Sequence, residues 1–154
     1  MKVDKEFKKK KNKEVLDLRK QGIQELPESI GYLKCRELIL AENDITTLPD
    51  DIGSLENLQV LDCSSNRING LPFEIGGLRP LRELNLANNK LFFAPLTPEL
   101  GKLRALVKLD LSNNQLDELP SELGNLANLE SLNLSHNQIK TLPAEFGTNL
   151  CSLI

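Results

Sequence analysis

Apolar residues recur along this chain in a fixed order, which is clearest in the stretch LVKLDLSNNQLDELPSELGNL, residues 106–126. Leucines alternate with polar residues there, and an asparagine, Asn114, separates them from a second apolar half. Counterparts of this asparagine occur at spacings of 23, 23, 25 and 23 residues, at Asn43, Asn66, Asn89 and Asn137. A unit of this length cannot bury its apolar face alone, so the pattern predicts repeats that stack on one another.

The first half of each unit reads x-L-x-L-x, an alternation with period two that predicts a short, half-buried strand. The residues predicted to point inward are the pairs Leu38/Leu40, Leu61/Cys63, Leu84/Leu86, Leu109/Leu111 and Leu132/Leu134. Stacked units would form a parallel sheet of six strands. Each asparagine is expected at the bend after its strand, where its amide bonds backbone groups. This predicts a structural ladder of asparagines at Asn43, Asn66, Asn89, Asn114 and Asn137.

The second half of each unit reads L-P-x-x-I-G-x-L and predicts a short helical or 3-10 turn opposite the sheet. Its proline is expected at the first helical position, which needs no N–H, in Pro27, Pro49, Pro72, Pro120 and Pro143. Its glycine is expected to end the turn in a left-handed conformation, at Gly31, Gly53, Gly76, Gly101, Gly124 and Gly147. The residues predicted to close the core from this side are Ile30, Ile52, Ile75, Leu100, Leu123 and Phe146.

Five aliphatic positions, one Asn, one Pro and one Gly recur in register, and together they identify a leucine-rich repeat that covers Val15 to Leu153. The predicted fold class is α/β: a right-handed, horseshoe-shaped solenoid with a concave parallel sheet and short 3-10 or helical turns on the convex side. We expect a lysine-rich arm over residues 1–13 and one leucine-rich-repeat domain of about six repeats over residues 14–154.

The L-P-x-x-I-G-x-L half resembles the 23-residue intracellular class found in Ras suppressor protein, in Ras–Raf scaffold proteins and in plant intracellular Ras-group repeat proteins. That resemblance implies a scaffold in intracellular signalling whose partner is a small GTPase, a phosphatase subunit or an adaptor protein. The matching residues are the structural ones, and the variable outward residues select the partner. The resemblance therefore implies a binding mode and leaves the partner open.

Charge is distributed unevenly along the 154 residues, whose net charge is −3. Residues 1–13 hold seven lysines against Asp4 and Glu6, a local charge of +5, whereas the remaining residues carry 12 basic and 20 acidic groups. Such an acidic body is a poor ligand for nucleic acid, so a basic or neutral protein surface is the expected partner. The arm is predicted to be a solvated tail, with a nuclear-import or anionic-membrane patch as the alternative.

The cysteines and the chain termini bear on the cellular compartment. Cys35 and Cys63 occupy leucine positions of the repeat, which predicts buried, reduced thiols in a cytoplasmic protein. No apolar run long enough to span a membrane occurs, and no apolar segment follows the N-terminal lysines. The last four residues, from Cys151, fit a C-a-a-X prenylation signal, although their leucine also fits the repeat spacing. The alternative function is therefore a membrane-attached regulatory protein that uses Cys151 and the lysine-rich arm.

Motifs for catalysis are missing from the sequence. The single histidine, His136, is expected to face solvent from the last strand, and no CxxC, HExxH or glycine-rich phosphate loop is present. The carboxylates recur at the repeat spacing, which is typical of solvated rows and not of a paired acid–base site. We therefore expect no enzyme, no cofactor and no metal site, and a chain that is a monomer.

Two surfaces are predicted to bind a partner protein. On the concave face, the candidate residues are Asp17, Glu37, Ile39, Asp62, Glu83, Asn85, Lys108, Asp110, Asn133 and His136. Their acids and amides suit a basic patch, and the alanines and serines beside them are expected to leave the face accessible. At one edge, Phe92 and Phe93 lie in a unit two residues longer than its neighbours. They form either a binding bulge or a small private core over the insertion.

Overall fold

The computed structural model describes residues 12–92 and 96–146 of the chain. Six three-residue strands pair in parallel in the order in which they occur, with bounds β1 (Val15–Asp17), β2 (Glu37–Ile39), β3 (Val60–Asp62), β4 (Glu83–Asn85), β5 (Lys108–Asp110) and β6 (Ser131–Asn133). Five-residue 3-10 helices connect them, with bounds η1 (Glu28–Tyr32), η2 (Asp50–Ser54), η3 (Phe73–Gly77), η4 (Pro98–Lys102) and η5 (Ser121–Asn125). The predicted parallel sheet with short 3-10 turns is confirmed. Residues 1–11 lie outside the described ranges, so the domain boundary stays a prediction.

The core lies between the sheet and the 3-10 helices and is almost entirely aliphatic. The middle residue of each strand stands beside its counterpart, in the series Leu16, Leu38, Leu61, Leu84, Leu109 and Leu132. The first five of these are buried, and the residues predicted to close the core from the helical side are buried as well. Each such side chain contributes about 1.5–3 kcal/mol when it is removed from water. Leu132 is only partly buried, since no described strand pairs with the far edge of β6.

The prolines stand one residue earlier than the sequence predicted. Pro27, Pro49, Pro72 and Pro120 precede their helices as N-terminal caps with extended backbone, and Pro143 also lies outside a helix. Among the described prolines, only Pro98 occupies a helical position. A 3-10 helix closes its first hydrogen bond between residues three apart. The carbonyl of Pro27 accordingly accepts a bond from the N–H of Ile30 at 2.9 Å. The proline thus supplies the first acceptor of the helix.

The repeat glycines were predicted to be left-handed, and that prediction is wrong for Gly31, Gly53, Gly76, Gly101 and Gly124; Gly147 lies outside the described residues. Among the described glycines, only Gly22 has a positive φ, of 64°. The glycines of the 3-10 helices instead allow the next repeat to approach. A Cβ added at Gly76 would lie 2.8 Å from the carbonyl oxygen of Glu99, and one at Gly53 would overlap the carbonyl of Glu74. Glycine is therefore required by the distance between stacked helices.

The residue that adopts the left-handed conformation is the one just before each asparagine of the ladder, or before Gln21 at the equivalent position of the first repeat. Its φ is between 54° and 58° in Lys20, Glu42, Ser65, Asn88, Asn113 and His136. The backbone N–H of this residue continues the ladder past the strand; that of Ser65 donates to the carbonyl of Ala87 at 2.9 Å. A non-glycine residue loses about 1 kcal/mol in this conformation, and asparagine less than most. The chain keeps the conformation because it aims the asparagine side chain inward.

Ser65→Asn is expected to raise the free energy of unfolding by about 0.5 kcal/mol, because asparagine tolerates the left-handed backbone better than serine. Asn88→Ser, the reciprocal change in the next repeat, should lower it by a similar amount. Urea denaturation of the two variants beside the parent protein measures both effects. If both variants are as stable as the parent protein, the left-handed backbone at this position does not select the residue.

Candidate functional site

The outer face of the sheet carries two rows of side chains, one from the first and one from the third residue of every strand. The first row comprises Val15, Glu37, Val60, Glu83, Lys108 and Ser131. The second row comprises Asp17, Ile39, Asp62, Asn85, Asp110 and Asn133. The parallel register places each member beside its counterpart on the neighbouring strand, about 4.8 Å away. All twelve side chains are exposed or half-buried. Nine of the ten residues predicted for the concave face lie in these rows, and His136 is the exception.

The acids and amides of the second row have a structural role that the sequence interpretation missed. The side-chain Oδ1 of each accepts a hydrogen bond from the backbone N–H two residues later. The distance is 2.9 Å from Asp62 to Ser64 and 3.0 Å from Asn85 to Ala87. This side-chain turn fixes the bend that follows the strand. The pattern Asp/Asn-x-Ser/Ala is its sequence signal in four of the five cases, Asp17 being followed by Arg19 instead, and in the second row only Ile39 lacks the turn.

Several charges on this face are paired within the protein. Lys108 Nζ lies 3.0 Å from Glu83 Oε1, and Lys20 Nζ lies 3.2 Å from Glu42 Oε2. The Arg19 side chain donates to Asp17, which holds the pKa of that carboxyl below its usual value. Exposed pairs such as these contribute little to stability. Their effect is to neutralise charge that would otherwise be offered to a partner.

The second-row acids differ in how many protein groups they already contact. Asp110 accepts from Ser112 through both N–H and hydroxyl, at 2.9 and 2.6 Å, and from the amide of Asn133 at 3.1 Å. Asp62 accepts the single backbone bond described above. The first-row carboxylate of Glu37 has no hydrogen bond or ion pair among the described residues. The acids predicted together for the concave face therefore divide into those whose oxygens already accept bonds within the protein and those that remain available to a partner.

The expectation that small residues beside the rows keep the face accessible stays a prediction, and three of these residues lie buried at the bend after their strands. Ala41, Ala87 and Ser112 are themselves buried, at 8%, 7% and 5% exposure. They lie where the chain bends off the sheet, and their carbonyls accept bonds from two directions. The carbonyl of Ala41 accepts from the amide of Asn43 and from the N–H of Lys20, each at 3.2 Å. Small side chains fit the packing of the bend at these three positions.

The asparagine ladder bridges neighbouring repeats. Asn43 Nδ2 donates to the carbonyl of Leu40 in its own repeat at 2.8 Å and to that of Leu18 in the preceding repeat at 3.0 Å. Its Oδ1 accepts from the N–H groups of Gln21 and Ile23, both at 3.0 Å. Asn66, Asn89 and Asn114 are buried in equivalent networks, and Asn137 is half-buried at the last described repeat. Each amide therefore ties two turns of backbone together.

His136 was expected on the last strand, and the structure places it elsewhere. Strand β6 ends at Asn133, and His136 lies three residues later, exposed, with a φ of 56°. The chain has to leave the sheet there so that Asn137 can turn inward. His136 lines a shallow groove of about 290 Å³ together with Leu134 and Ile139. It is a residue of the turn and not of the strand rows.

The remaining candidates lie partly outside the described residues. Phe92 is 47% exposed and follows strand β4 in the chain, whereas Phe93 is in the gap at 93–95. The alternatives of a binding bulge and a private core therefore stay open. Cys151 and the lysine-rich arm also lie outside the described ranges, so membrane attachment through them stays a prediction.

The described cysteines are buried. Cys35 and Cys63 lie in the core as free thiols. Burial raises the pKa of Cys35 to about 11 and raises that of Cys63 as well, so both thiols are neutral at ordinary pH. Within residues 12–92 and 96–146, no group of three or more His, Cys, Asp or Glu is arranged to hold a metal ion. No helix in the same ranges is long and apolar enough to cross a membrane.

Known proteins share both the sequence pattern and the fold. The leucine-rich-repeat family model matches residues 33–91, and the model for two leucine-rich repeats matches residues 104–146. The leucine-rich repeat protein lrrA of Dictyostelium discoideum is 50% identical over 137 residues, which are 89% of this chain and 27% of that protein. The chain thus spans about a quarter of the length of this relative.

Solved structures agree with this assignment. A leucine-rich-repeat protein of Leptospira interrogans superposes with a TM-score of 0.77 and 35% identity, over 98% of this chain and 44% of that one. The leucine-rich-repeat ectodomain of the receptor kinase SOBIR1 from Arabidopsis thaliana gives a TM-score of 0.68 and 31% identity, over 84% of this chain and 72% of that one. The chain belongs to the leucine-rich-repeat proteins, a family whose members generally act by binding other proteins.

Proposed function

We propose that this chain is a non-enzymatic interaction module that binds a partner protein through the outer face of its sheet, as a scaffold in cytoplasmic signalling. The observation that carries the proposal is the pair of open side-chain rows on a backbone held by the core and the asparagine ladder. A rigid backbone positions side chains for a partner without an ordering cost on binding. The rows vary in chemistry from repeat to repeat, as a specific surface requires, while the core residues do not.

The charge of the two rows indicates the chemistry of the partner. They hold five carboxylates and one ammonium group. A basic surface would be attracted to such a face, chiefly through faster association. Of the partners implied by the resemblance, a small GTPase, a phosphatase subunit or an adaptor protein would therefore have to present lysine or arginine residues. The same charge disfavours nucleic acid as a ligand.

The edge at Phe92 and Phe93 is proposed as a second contact. Acidic rows without an aromatic anchor speed association with a partner more than they prolong the lifetime of the complex. The reason is that binding energy concentrates in buried aromatic and arginine groups. Phe92, which is about half exposed, supplies an aromatic surface near the end of the β4 repeat. In this proposal, the charges on the outer face speed association with the partner, and the apolar contact at Phe92 and Phe93 holds the partner once it is bound.

Photo-crosslinking from opposite sides of the protein tests the proposed function. A photoreactive phenylalanine analogue replaces Asn85, in the centre of the second row, or Phe73, which is 69% exposed on η3 of the helical side. We expect irradiation in cells to give a discrete protein adduct from position 85 and none from position 73. The adduct should weaken when salt is raised before irradiation of an extract. An adduct from position 73 alone would place the partner on the wrong side and overturn the proposal.

A further inference from the structure

The two ends of the outer face differ in chemistry. Over β4–β6 the rows are polar: Glu83 is paired with Lys108, and amides or satisfied acids fill the second row. Over β1–β3 they alternate between aliphatic and acidic side chains. All the aliphatic members of the two rows are in this half, at Val15, Ile39 and Val60. The N-terminal half is thus the only described part of the two rows that combines apolar area with charge.

Strand register turns this alternation into a checkerboard. In the first row, Glu37 lies between Val15 and Val60. In the second row, Ile39 lies between two acids, Asp17 and Asp62. From the strand spacing and the rise along a strand, the Glu37 and Asp62 positions are about 8 Å apart on the diagonal. A basic side chain that enters between them would contact aliphatic groups on both sides.

The carboxylates of this half differ in how free they are. Asp17 is bound to Arg19, whose charge also acts more weakly on Asp62. Glu37 has no hydrogen bond or ion pair among the described residues, and Asp62 uses only Oδ1, for the turn at Ser64. Glu37 and Oδ2 of Asp62 are therefore acceptors that remain available to a partner.

The aliphatic neighbours affect how strongly those acceptors bind. Val15 is 48% exposed, and Ile39 and Val60 are half-buried on the open face. A partner that covers them removes water from around the two carboxylates as well. An ion pair is stronger in such a surrounding than in open solvent, provided that both charges are matched. Apolar cover and charge pairing would therefore reinforce each other at this place.

We propose that Val15, Glu37, Ile39, Val60 and Asp62, the checkerboard patch, form the anchoring site of the outer face. Its occupant is a segment of a partner protein in which a lysine or arginine is flanked by aliphatic side chains. The inference rests on the proposed function and narrows it to one half of the face and one kind of segment. Complementary charge carries the choice of occupant, since within residues 12–92 and 96–146 the two available carboxylates meet no basic group at contact distance.

Amide substitutions give a test that preserves the fold. Asp62→Asn keeps the acceptor for Ser64, because Asn85 makes the same bond in the next repeat. Ile39→Asn likewise installs a residue that the second row already accommodates. The probe is a synthetic peptide in which valine, lysine, isoleucine, arginine and valine alternate with serines. A control peptide has glutamates in place of the two basic residues. Nuclear magnetic resonance titration of the full chain reports both the affinity and the location of binding.

The expected result is a set of shifts confined to β1–β3 with the basic peptide and none with the glutamate peptide. Asp62→Asn, Glu37→Gln and Ile39→Asn should each weaken binding about fivefold. The matched controls Asp110→Asn and Glu83→Gln should change it less than about twofold, because these acids are already satisfied.

Shifts at β4–β6, equal effects of the two sets of variants, or no binding at millimolar peptide would each overturn the inference. The crosslinking experiment separates such a failure from failure of the proposed function. An adduct from position 85 together with a negative titration leaves the outer face as the binding surface and removes only the patch. An adduct from position 73 alone removes both.

Discussion

Asn89→Ala is expected to lower the free energy of unfolding by about 3 kcal/mol, because it leaves the buried N–H of Ile68 without a partner and removes one of the hydrogen bonds that each of two buried carbonyls accepts. Asn89 Oδ1 accepts from the N–H of Ile68 at 2.9 Å. Its Nδ2 donates to the carbonyls of Cys63 and Leu86, each at 3.0 Å. The side chain is 7% exposed, so water cannot replace these bonds without opening the contact between two repeats.

Two further variants separate the contributions in urea denaturation. Asn89→Asp keeps the acceptor for Ile68 but turns the donor toward Cys63 and Leu86 into an oxygen that repels their carbonyls. It should be at least as destabilising as alanine. Asn137→Ala should cost about 1 kcal/mol, since Asn137 is half-buried and its groups can reach water. Equal losses at positions 89 and 137 would show that burial of the ladder does not set its strength.

The strands and the core could be predicted because they depend on relations within one repeat. The alternation around Leu109 and Leu111 has the period of a strand whatever its neighbours do, and both residues are fully or almost fully buried. The aliphatic position of the turn, such as Ile52, is buried for the same reason. A repeated pattern also implies its own stacking, and thus the parallel register from β1 to β6.

Features that depend on the distance between repeats could not be predicted from the period. Sequence alone cannot distinguish a glycine needed for its backbone from one needed for its missing side chain, and Gly53 and Gly22 are of these two different kinds. The side-chain turn at the bend after each strand could not be predicted either. The acids of the second row were interpreted as binding groups because their backbone partner, two residues away, becomes visible only when the turn is built.

The candidate surface was predicted as a list of outward residues, and the structure changes how its members group. Lys108 and Glu83 are 25 residues apart in the chain and pair across adjacent strands. Glu37, by contrast, has aliphatic neighbours on both sides. Charge counted along the chain treats these acids alike. Their availability depends on which side chain stands opposite on the next strand, and that requires the register.

Gly53→Ala is expected to lower the free energy of unfolding by about 3 kcal/mol, the upper part of the range for overpacked sites. The added Cβ would overlap the carbonyl oxygen of Glu74 and lie 3.0 Å from its carbonyl carbon. These are backbone atoms of η3, so no side-chain rotation relieves the clash. The helices η2 and η3 would have to separate, which would open the core around Ile52 and Ile75.

Two other glycines make the measurement specific. At Gly31 an added Cβ would lie 3.1 Å from the carbonyl oxygen of Asp51 and 3.3 Å from two side-chain carbons, so a small shift suffices and the loss should be about 1 kcal/mol. At Gly22 nothing lies within 4 Å, and alanine should cost about 1 kcal/mol through its left-handed backbone alone. Thermal and urea denaturation of the three variants should rank Gly53→Ala well below the other two. If all three lose the same stability, close approach between stacked 3-10 helices is not the reason for the repeat glycine. A general cost of replacing glycine would then be the explanation, and the packing argument for η1 to η5 would fall with it.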